Sequence, residues 1–254
     1  MSMKFGPISG VVVLSLASVS GAQTSPAFLT GAHDFGPISR VHGGVLTHQV
    51  KIDASSHVMA VANGKVLLGG SKPNQVFPVL NADDLSETGA FTTSAFKEDG
   101  ATSDGTKIYY IQAGTNYIMS CDLDWTNSKY LFKNPYGFGY DLGYDSSDNT
   151  LWGMTEGKYY HMDMNGQGLG TFWAAGAAYG IGVDNADGTI WMTHFPTQTI
   201  VQYDKLGNKT GLSHKIDLNW NGDYGIEFNN NAVPAPASAA LLCLGGLAAS
   251  RRRR

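Results

Sequence analysis

Apolar and polar residues alternate along the body of the chain in a pattern that repeats. Four polar residues, each directly after a short apolar or aromatic run, mark the repeat: Asn81, Asp122, Asp163 and Asp204. Successive members of this set are 41 residues apart. A period near 40 residues with four strands per unit is typical of a β-propeller. The pattern therefore predicts an all-β fold built from repeated four-stranded sheets.

Five segments rich in small residues fit the innermost strand of each sheet, where strands crowd around a common axis. Each of the first four is followed by a turn signal, such as Asn63-Gly64 or Asp187-Gly188, and then by a second strand with alternating apolar and aromatic residues. We interpret the aromatic residues of these second strands as packing between sheets; a ligand platform is the alternative. The predicted inner segments are Val58–Ala62, Gly100–Asp104, Asp141–Asp145, Gly180–Asp184 and Gly225–Asn229.

The last inner segment, Gly225–Asn229, has no room for three more strands before the C-terminal tail. The N-terminal part of the body supplies three candidates in the right order, at Ala27–Thr30, Ile38–Gly43 and Leu46–Asp53. We therefore predict a five-bladed β-propeller whose last blade combines one C-terminal strand with three N-terminal strands. Such pairing would remove an open sheet edge at the seam.

Both ends of the chain are typical of processing segments. Residues 1–22 carry an early Lys4, an apolar run at Val11–Ala17 and small residues before a cleavage position after Ala22, which indicates a signal peptide. An uncleaved membrane anchor is the alternative, although the apolar run is short for a spanning helix. The predicted body is residues 23–232, and the tail is residues 233–254.

The tail joins a proline motif, a short apolar stretch and a basic cluster: Val233, Pro234, Ala235 and Pro236, then Ala239–Ala249, then Arg251, Arg252, Arg253 and Arg254. This order resembles the PEP-CTERM sorting signal of Gram-negative bacteria. The resemblance implies processing by an exosortase-type enzyme after signal peptidase, and a place in the cell envelope or extracellular matrix. Ala235 replaces the central Glu of the family, which bears on the efficiency of processing. A plain C-terminal membrane anchor is the alternative.

The charge of the body excludes nucleic acid as a partner. The two ends hold five of the 17 Lys and Arg residues and no acidic residue, so the body carries 12 basic against 21 acidic residues, a formal net charge of −9. A surface with this net negative charge repels the phosphate backbone of a nucleic acid. Cys121 is the only cysteine of the body, so an intramolecular disulfide there is impossible, and we expect a buried apolar role for it.

Two segments look like NHL-type propeller repeats, and they are similar to repeats of virginiamycin B lyase-type propellers. They are Leu151–Glu156 and Ile190–His194, each followed by a strand that ends in Asp. In the lyase-type family, loop His and Glu residues share the reaction with a metal ion. The resemblance thus implies His194 and Glu156 as catalytic candidates, with a divalent metal as the cofactor of that alternative.

The starts of the inner strands and the loops after the second strands should meet at one mouth of the central channel. The ligand candidates at this mouth are His33, His57, Asp99, Tyr140, Asp141, Tyr179 and Tyr224. Histidines and carboxylates there could bind a divalent cation or perform acid–base chemistry; solvated loops explain a polar mouth equally well. No HExxH, CxxC, GxSxG or phosphate-loop motif occurs.

The sequence therefore predicts a binding or structural module without a cofactor, displayed at the cell surface or in an extracellular matrix. Extracellular polysaccharide and a surface protein are the expected partner classes. A metal-assisted lyase or hydrolase that uses His194 and Glu156 is the alternative from a different functional class.

Overall fold

The computed structural model describes residues 27–32, 37–52, 56–70, 74–92, 98–112, 114–155, 157–215 and 224–230. In these residues the chain forms twenty β-strands and a short 3-10 helix at Phe195–Thr197. No helix of this part of the chain is long and apolar enough to cross a membrane. The strands are β1 (Ala27–Ala32), β2 (Pro37–His42), β3 (Val45–Lys51), β4 (Ser56–Ala62), β5 (Lys65–Gly70), β6 (Val76–Asn81), β7 (Glu87–Thr92), β8 (Glu98–Ser103), β9 (Ile108–Gln112), β10 (Tyr117–Cys121), β11 (Lys129–Lys133), β12 (Asp141–Asp145), β13 (Thr150–Thr155), β14 (Lys158–Asp163), β15 (Gly168–Trp173), β16 (Ala177–Asp184), β17 (Thr189–His194), β18 (Thr199–Tyr203), β19 (Lys209–Lys215) and β20 (Tyr224–Phe228).

The strands pair antiparallel in four-stranded sheets. Sheet A has the order β20-β1-β2-β3, whereas sheets B (β4–β7), C (β8–β11), D (β12–β15) and E (β16–β19) follow the chain. We call β4, β8, β12, β16 and β20 the inner strands. Inner strands of consecutive sheets contact each other, and β20 contacts both β16 and β4. The architecture is that of an all-β β-propeller.

Aspartate-anchored turns explain the 41-residue period. The backbone N–H groups of Asp122, Asp163 and Asp204 each donate to the carbonyl four residues on, and this turn joins the third strand to the outermost one. The Asp163 carboxylate also accepts the Gln167 N–H at 2.7 Å. Because sheets B, D and E repeat an Asx-type turn here and sheet C has a turn with the same backbone hydrogen bond as sheets D and E, one polar residue recurs at a constant spacing in these four sheets.

The turns between first and second strands have the predicted positive φ. Asn63 and Gly64 have φ values of 51° and 72°. Both lie in the left-handed region that a two-residue hairpin of this kind requires, and that Asn and Gly adopt at little cost. The sequence signal for this turn is therefore confirmed.

The core consists of apolar clusters between neighbouring sheets. Trp152 and Trp191, on the second strands of sheets D and E, are buried, which confirms their interpretation as packing residues. Cys121 is buried beside Trp125, as expected for a small apolar side chain. A cluster with Trp191 on one side and Ile226 and Phe228 on the other joins sheet E to sheet A.

Sheet A contains strands from both ends of the described chain. β1 pairs with β20 so that Leu29 lies opposite Glu227 and Thr30 opposite Ile226. β1 also pairs with β2 on its other side, and β2 pairs with β3. Sheet A thus combines three strands from the N-terminal part of the described chain with one strand from its C-terminal part.

Candidate ligand-binding mouth

The inner strands begin at the same end of the fold at which the second strands end. In sheet E, for example, Ala177 of β16 lies opposite His194 of β17. We call this end the mouth. His57, Asp99 and Asp141 lie at or next to the starts of their inner strands, and Tyr140, Tyr179 and Tyr224 take matching positions. His33 and Glu156 lie outside the described residues, as do residues 1–22 and the tail with Val233–Pro236 and Arg251–Arg254.

Tyr140 packs between two other aromatic rings at the mouth. The Phe138 ring packs edge-on against Tyr140 with centroids 5.3 Å apart. Tyr140 in turn packs edge-on against Tyr179 at 4.9 Å. Phe138 is 41% exposed, which is high for a side chain of this size. The structure therefore brings the predicted candidates Tyr140 and Tyr179 together and adds Phe138, which the sequence did not single out.

Tyr179 has an unusual backbone conformation. Its φ is 62°, in the left-handed region that a bulky residue rarely adopts. The pairing of β16 with β17 is irregular between Ala177 and Ile181. Within this irregular stretch, the Gly180 N–H donates to Thr193 Oγ1 at 3.0 Å. Surrounding hydrogen bonds hold this strain in place, as is common at ligand sites.

Below the aromatic cluster, the buried Asp141 side chain connects three inner strands. Its Oδ2 accepts the Ile181 N–H of β16 at 2.9 Å. Its carboxyl group also accepts backbone N–H groups of Leu142 and Ile226. Burial raises the pKa of Asp141 well above the usual range, and these hydrogen bonds oppose the rise. The Asp141 side chain thus links inner strands by hydrogen bonds across the channel, and its carboxyl group is buried away from solvent.

Glu227 is a second buried acid in the channel, and it is not among the candidates predicted from the sequence. Burial raises its pKa well above the usual range, the nearby Asp141 adds to the rise, and a hydrogen bond with Thr102 opposes it. Its Oε1 atom has no hydrogen-bond partner among the described residues. Thr102 Oγ1 also accepts the Tyr144 N–H at 3.0 Å. One signal could have revealed it: Glu227 is the only acidic residue inside the apolar stretch Ile226–Phe228.

His194 lies at the mouth end of β17, but its ring is buried in sheet E. Its Nε2 is 2.7 Å from the hydroxyl oxygen of Tyr203, and the two rings are nearly parallel. Burial lowers the pKa of His194, which favours the neutral imidazole. Among the described residues, no group of three or more His, Cys, Asp or Glu side chains is placed to hold a metal ion.

No family model matches the sequence, and no curated protein matches it significantly. Solved structures of similar fold include a chain of the nidogen/laminin complex, with a TM-score of 0.50 and 13% identity over 78% of this chain and 84% of that one. A protein of unknown function from Bacteroides caccae has a TM-score of 0.44 and 12% identity over 74% of this chain and 72% of its own. Myxococcus xanthus glutaminyl cyclase has a TM-score of 0.45 and 12% identity over 85% and 78%. The nidogen/laminin likeness supports the conclusion that the chain has an all-β β-propeller fold.

Proposed function

We propose that this chain is an exported β-propeller that acts as a binding or structural module at the cell surface or in the extracellular matrix of a Gram-negative-type bacterium. The observation that carries the binding role is the aromatic cluster of Phe138, Tyr140 and Tyr179 at the mouth. An exposed ring beside a strained backbone is typical of a ligand site. Extracellular polysaccharide and surface protein are the partner classes in this proposal, and nucleic acid is not among them.

In this proposal the body is a closed five-bladed propeller. Its last blade consists of β20 followed by β1, β2 and β3. The register of β1 on β20 and the apolar cluster between sheets E and A support this closure. Closure would bring the signal peptide and the sorting tail near each other. The rest of the propeller would then face away from the membrane.

Export and sorting are proposed from the sequence alone. Signal peptidase would remove residues 1–22, and an exosortase-type enzyme would process the tail at 233–254. To test this, the full chain is expressed in a Gram-negative host with an exosortase, and the termini of the product are determined by mass spectrometry. We expect an N-terminus at Gln23 and a shortened C-terminus. Replacement of the four arginines by serine should leave an uncut tail; unchanged processing would contradict the proposal.

The binding role is tested by retention on extracellular matrix from the exporting cells. We expect Phe138→Ala and Tyr140→Ala to reduce the retained fraction several-fold, because both remove rings of the mouth cluster. Leu206→Ala is the matched control, since Leu206 is 82% exposed and lies in the turn between β18 and β19, at the other end of the sheets. Equal retention of all three variants and the unaltered protein would refute a role for the mouth.

A further inference from the structure

Sheet C carries an open groove of about 400 Å³ whose lining shares no residue with the aromatic cluster of the mouth. Its lining consists of Gln112, Tyr117, Met119 and Tyr130, and we call it the tyrosine groove. The lining residues come from β9, β10 and β11, whereas the mouth cluster lies at the starts of β12 and β16. The volume is within the range of sites for small organic ligands.

The two tyrosines form a right-angled corner on the groove. Their ring centroids are 5.2 Å apart and the ring planes are at 86°. Tyr117 is 41% exposed and Tyr130 is 56% exposed, so large parts of both rings face solvent. A β-bulge between Ile118 and Met119 sets Tyr130 opposite Met119. The groove thus combines aromatic surfaces, two hydroxyl groups and the Gln112 carboxamide, without a charged side chain in its lining.

The repeat shows that the fold does not need these tyrosines. Tyr117 is the first residue of β10, and the first residues of the corresponding strands β6, β14 and β18 are Val76, Lys158 and Thr199. Sheets B, D and E have small residues where Tyr130 stands in sheet C, namely Ala90, Thr171 and Ser213. Three sheets therefore form without aromatic residues at these positions. The exposed tyrosine pair of sheet C calls for an explanation other than packing.

We infer that the tyrosine groove binds one or two neutral sugar units of an extracellular polysaccharide. A sugar ring has an apolar C–H face that can stack on an aromatic ring, and a rim of hydroxyl groups that can pair with hydroxyls and a carboxamide. The four lining side chains are uncharged, which suits a neutral sugar, and Lys133, opposite Tyr117 in the β10–β11 pair, is outside the lining. The inference rests on the proposed function only for the choice of polysaccharide as the partner class.

The test uses the full chain purified from exporting cells and titrated with neutral hexasaccharides of glucose, mannose and xylose. Binding is followed by isothermal titration calorimetry and by tyrosine ring signals in NMR spectra. We expect at least one hexasaccharide to bind. Tyr117→Ala and Tyr130→Ala should each weaken binding about tenfold, since each removes a stacking ring. Tyr130→Phe, which keeps the ring, should weaken it less than about threefold.

Two control variants lie outside both the groove and the mouth. Val76→Ala changes the position of sheet B that corresponds to Tyr117, and Leu206→Ala changes an exposed residue of the turn between β18 and β19; neither should alter hexasaccharide affinity. If no hexasaccharide binds to the unaltered protein, the inferred sugar site in the tyrosine groove is wrong. If Phe138→Ala nevertheless loses matrix retention, the proposed binding role of the mouth still holds. Hexasaccharide affinity that survives Tyr117→Ala and Tyr130→Ala, or binding only of peptides in the groove, would also overturn the inferred sugar site.

Discussion

Asp141 Oδ2 in β12 accepts the backbone N–H of Ile181 in β16 at 2.9 Å, and the Asp141 carboxyl group also accepts the N–H of Ile226 in β20. A single buried side chain thus connects three inner strands from three sheets. Asp141→Ala would leave these buried N–H groups without an acceptor, at about 1–3 kcal/mol for each. We expect a loss of about 3 kcal/mol in the free energy of unfolding, measured by urea denaturation.

The control for this change is Asp83→Ala, because the Asp83 side chain is 73% exposed and its ion pair with Arg40 is long, at 3.8 Å. Exposed ion pairs contribute little, so the control should change stability by less than about 0.5 kcal/mol. Equal effects of the two alanine variants would show that Asp141 does not connect the inner strands.

The buried acids Asp141 and Glu227 predict a stability that falls as pH rises. Burial raises the pKa of each above its value in the unfolded chain. The folded protein therefore holds more protons than the unfolded chain above about pH 4, and stability decreases with pH until the folded-state pKa is passed. Burial also raises the pKa of Asp184, to about 6, which acts in the same direction, whereas the lowered pKa values of His161, His194 and His214 act in the opposite direction.

Glu227→Gln tests this pH dependence, because glutamine keeps the shape of the side chain and cannot ionise. We expect the variant to be more stable relative to the unaltered protein at pH 8 than at pH 5, as measured by denaturation at each pH. The lowered pKa of His194 acts in the opposite direction in both proteins and cancels in the difference. A difference that does not change with pH would mean that Glu227 is not a protonated buried acid.

Close packing of the inner strands predicts that Gly100 tolerates no side chain. A Cβ atom at Gly100 would lie 2.3 Å from the Cα of Asp141 and 2.6 Å from the carbonyl oxygen of Tyr140. Backbone atoms cannot move aside, so Gly100→Ala should destabilise the fold by more than about 3 kcal/mol. Gly89→Ala in β7, with no atom within 4 Å of its Cβ position, should be neutral or slightly stabilising. Thermal denaturation of the two variants checks this contrast.

The left-handed backbone at Tyr179 predicts a stability difference between two truncations. Tyr179→Ala and Tyr179→Gly both remove the ring contact with Tyr140. Only glycine adopts a φ of 62° without strain. We therefore expect the glycine variant to be more stable than the alanine variant by about 1 kcal/mol in urea denaturation. Greater stability of the alanine variant would place Tyr179 in an ordinary backbone conformation.

Local sequence signals located most of the strands, because turns and small residues act over a few positions. The period from Asn81 to Asp204 marks the ends of third strands, and the turn at Asn63-Gly64 marks a hairpin. The mouth was harder to predict, because it depends on which way side chains point. His194 has the right position along β17, yet its ring turns into sheet E towards Tyr203.

No local sequence pattern predicts the contacts across the channel or the contacts that depend on a β-bulge. Asp141 and Glu227 are far apart in the sequence, and only the packing of the inner strands brings the Asp141 carboxyl close enough to raise the pKa of Glu227. The Tyr117–Tyr130 corner depends on the bulge at Ile118, which shifts the register by one residue. A period-2 pattern does not reveal such a shift.

The central claim is that the two ends of the body share one sheet and so close the ring. Backbone NOEs between β1 and β20, recorded by NMR on deuterated protein, test it most directly. We predict cross-strand NOEs that link Leu29 with Glu227 and Gly31 with Gly225, in the register of an antiparallel pair. NOEs from β1 to β2 with none from β1 to residues 224–228 would contradict the claim.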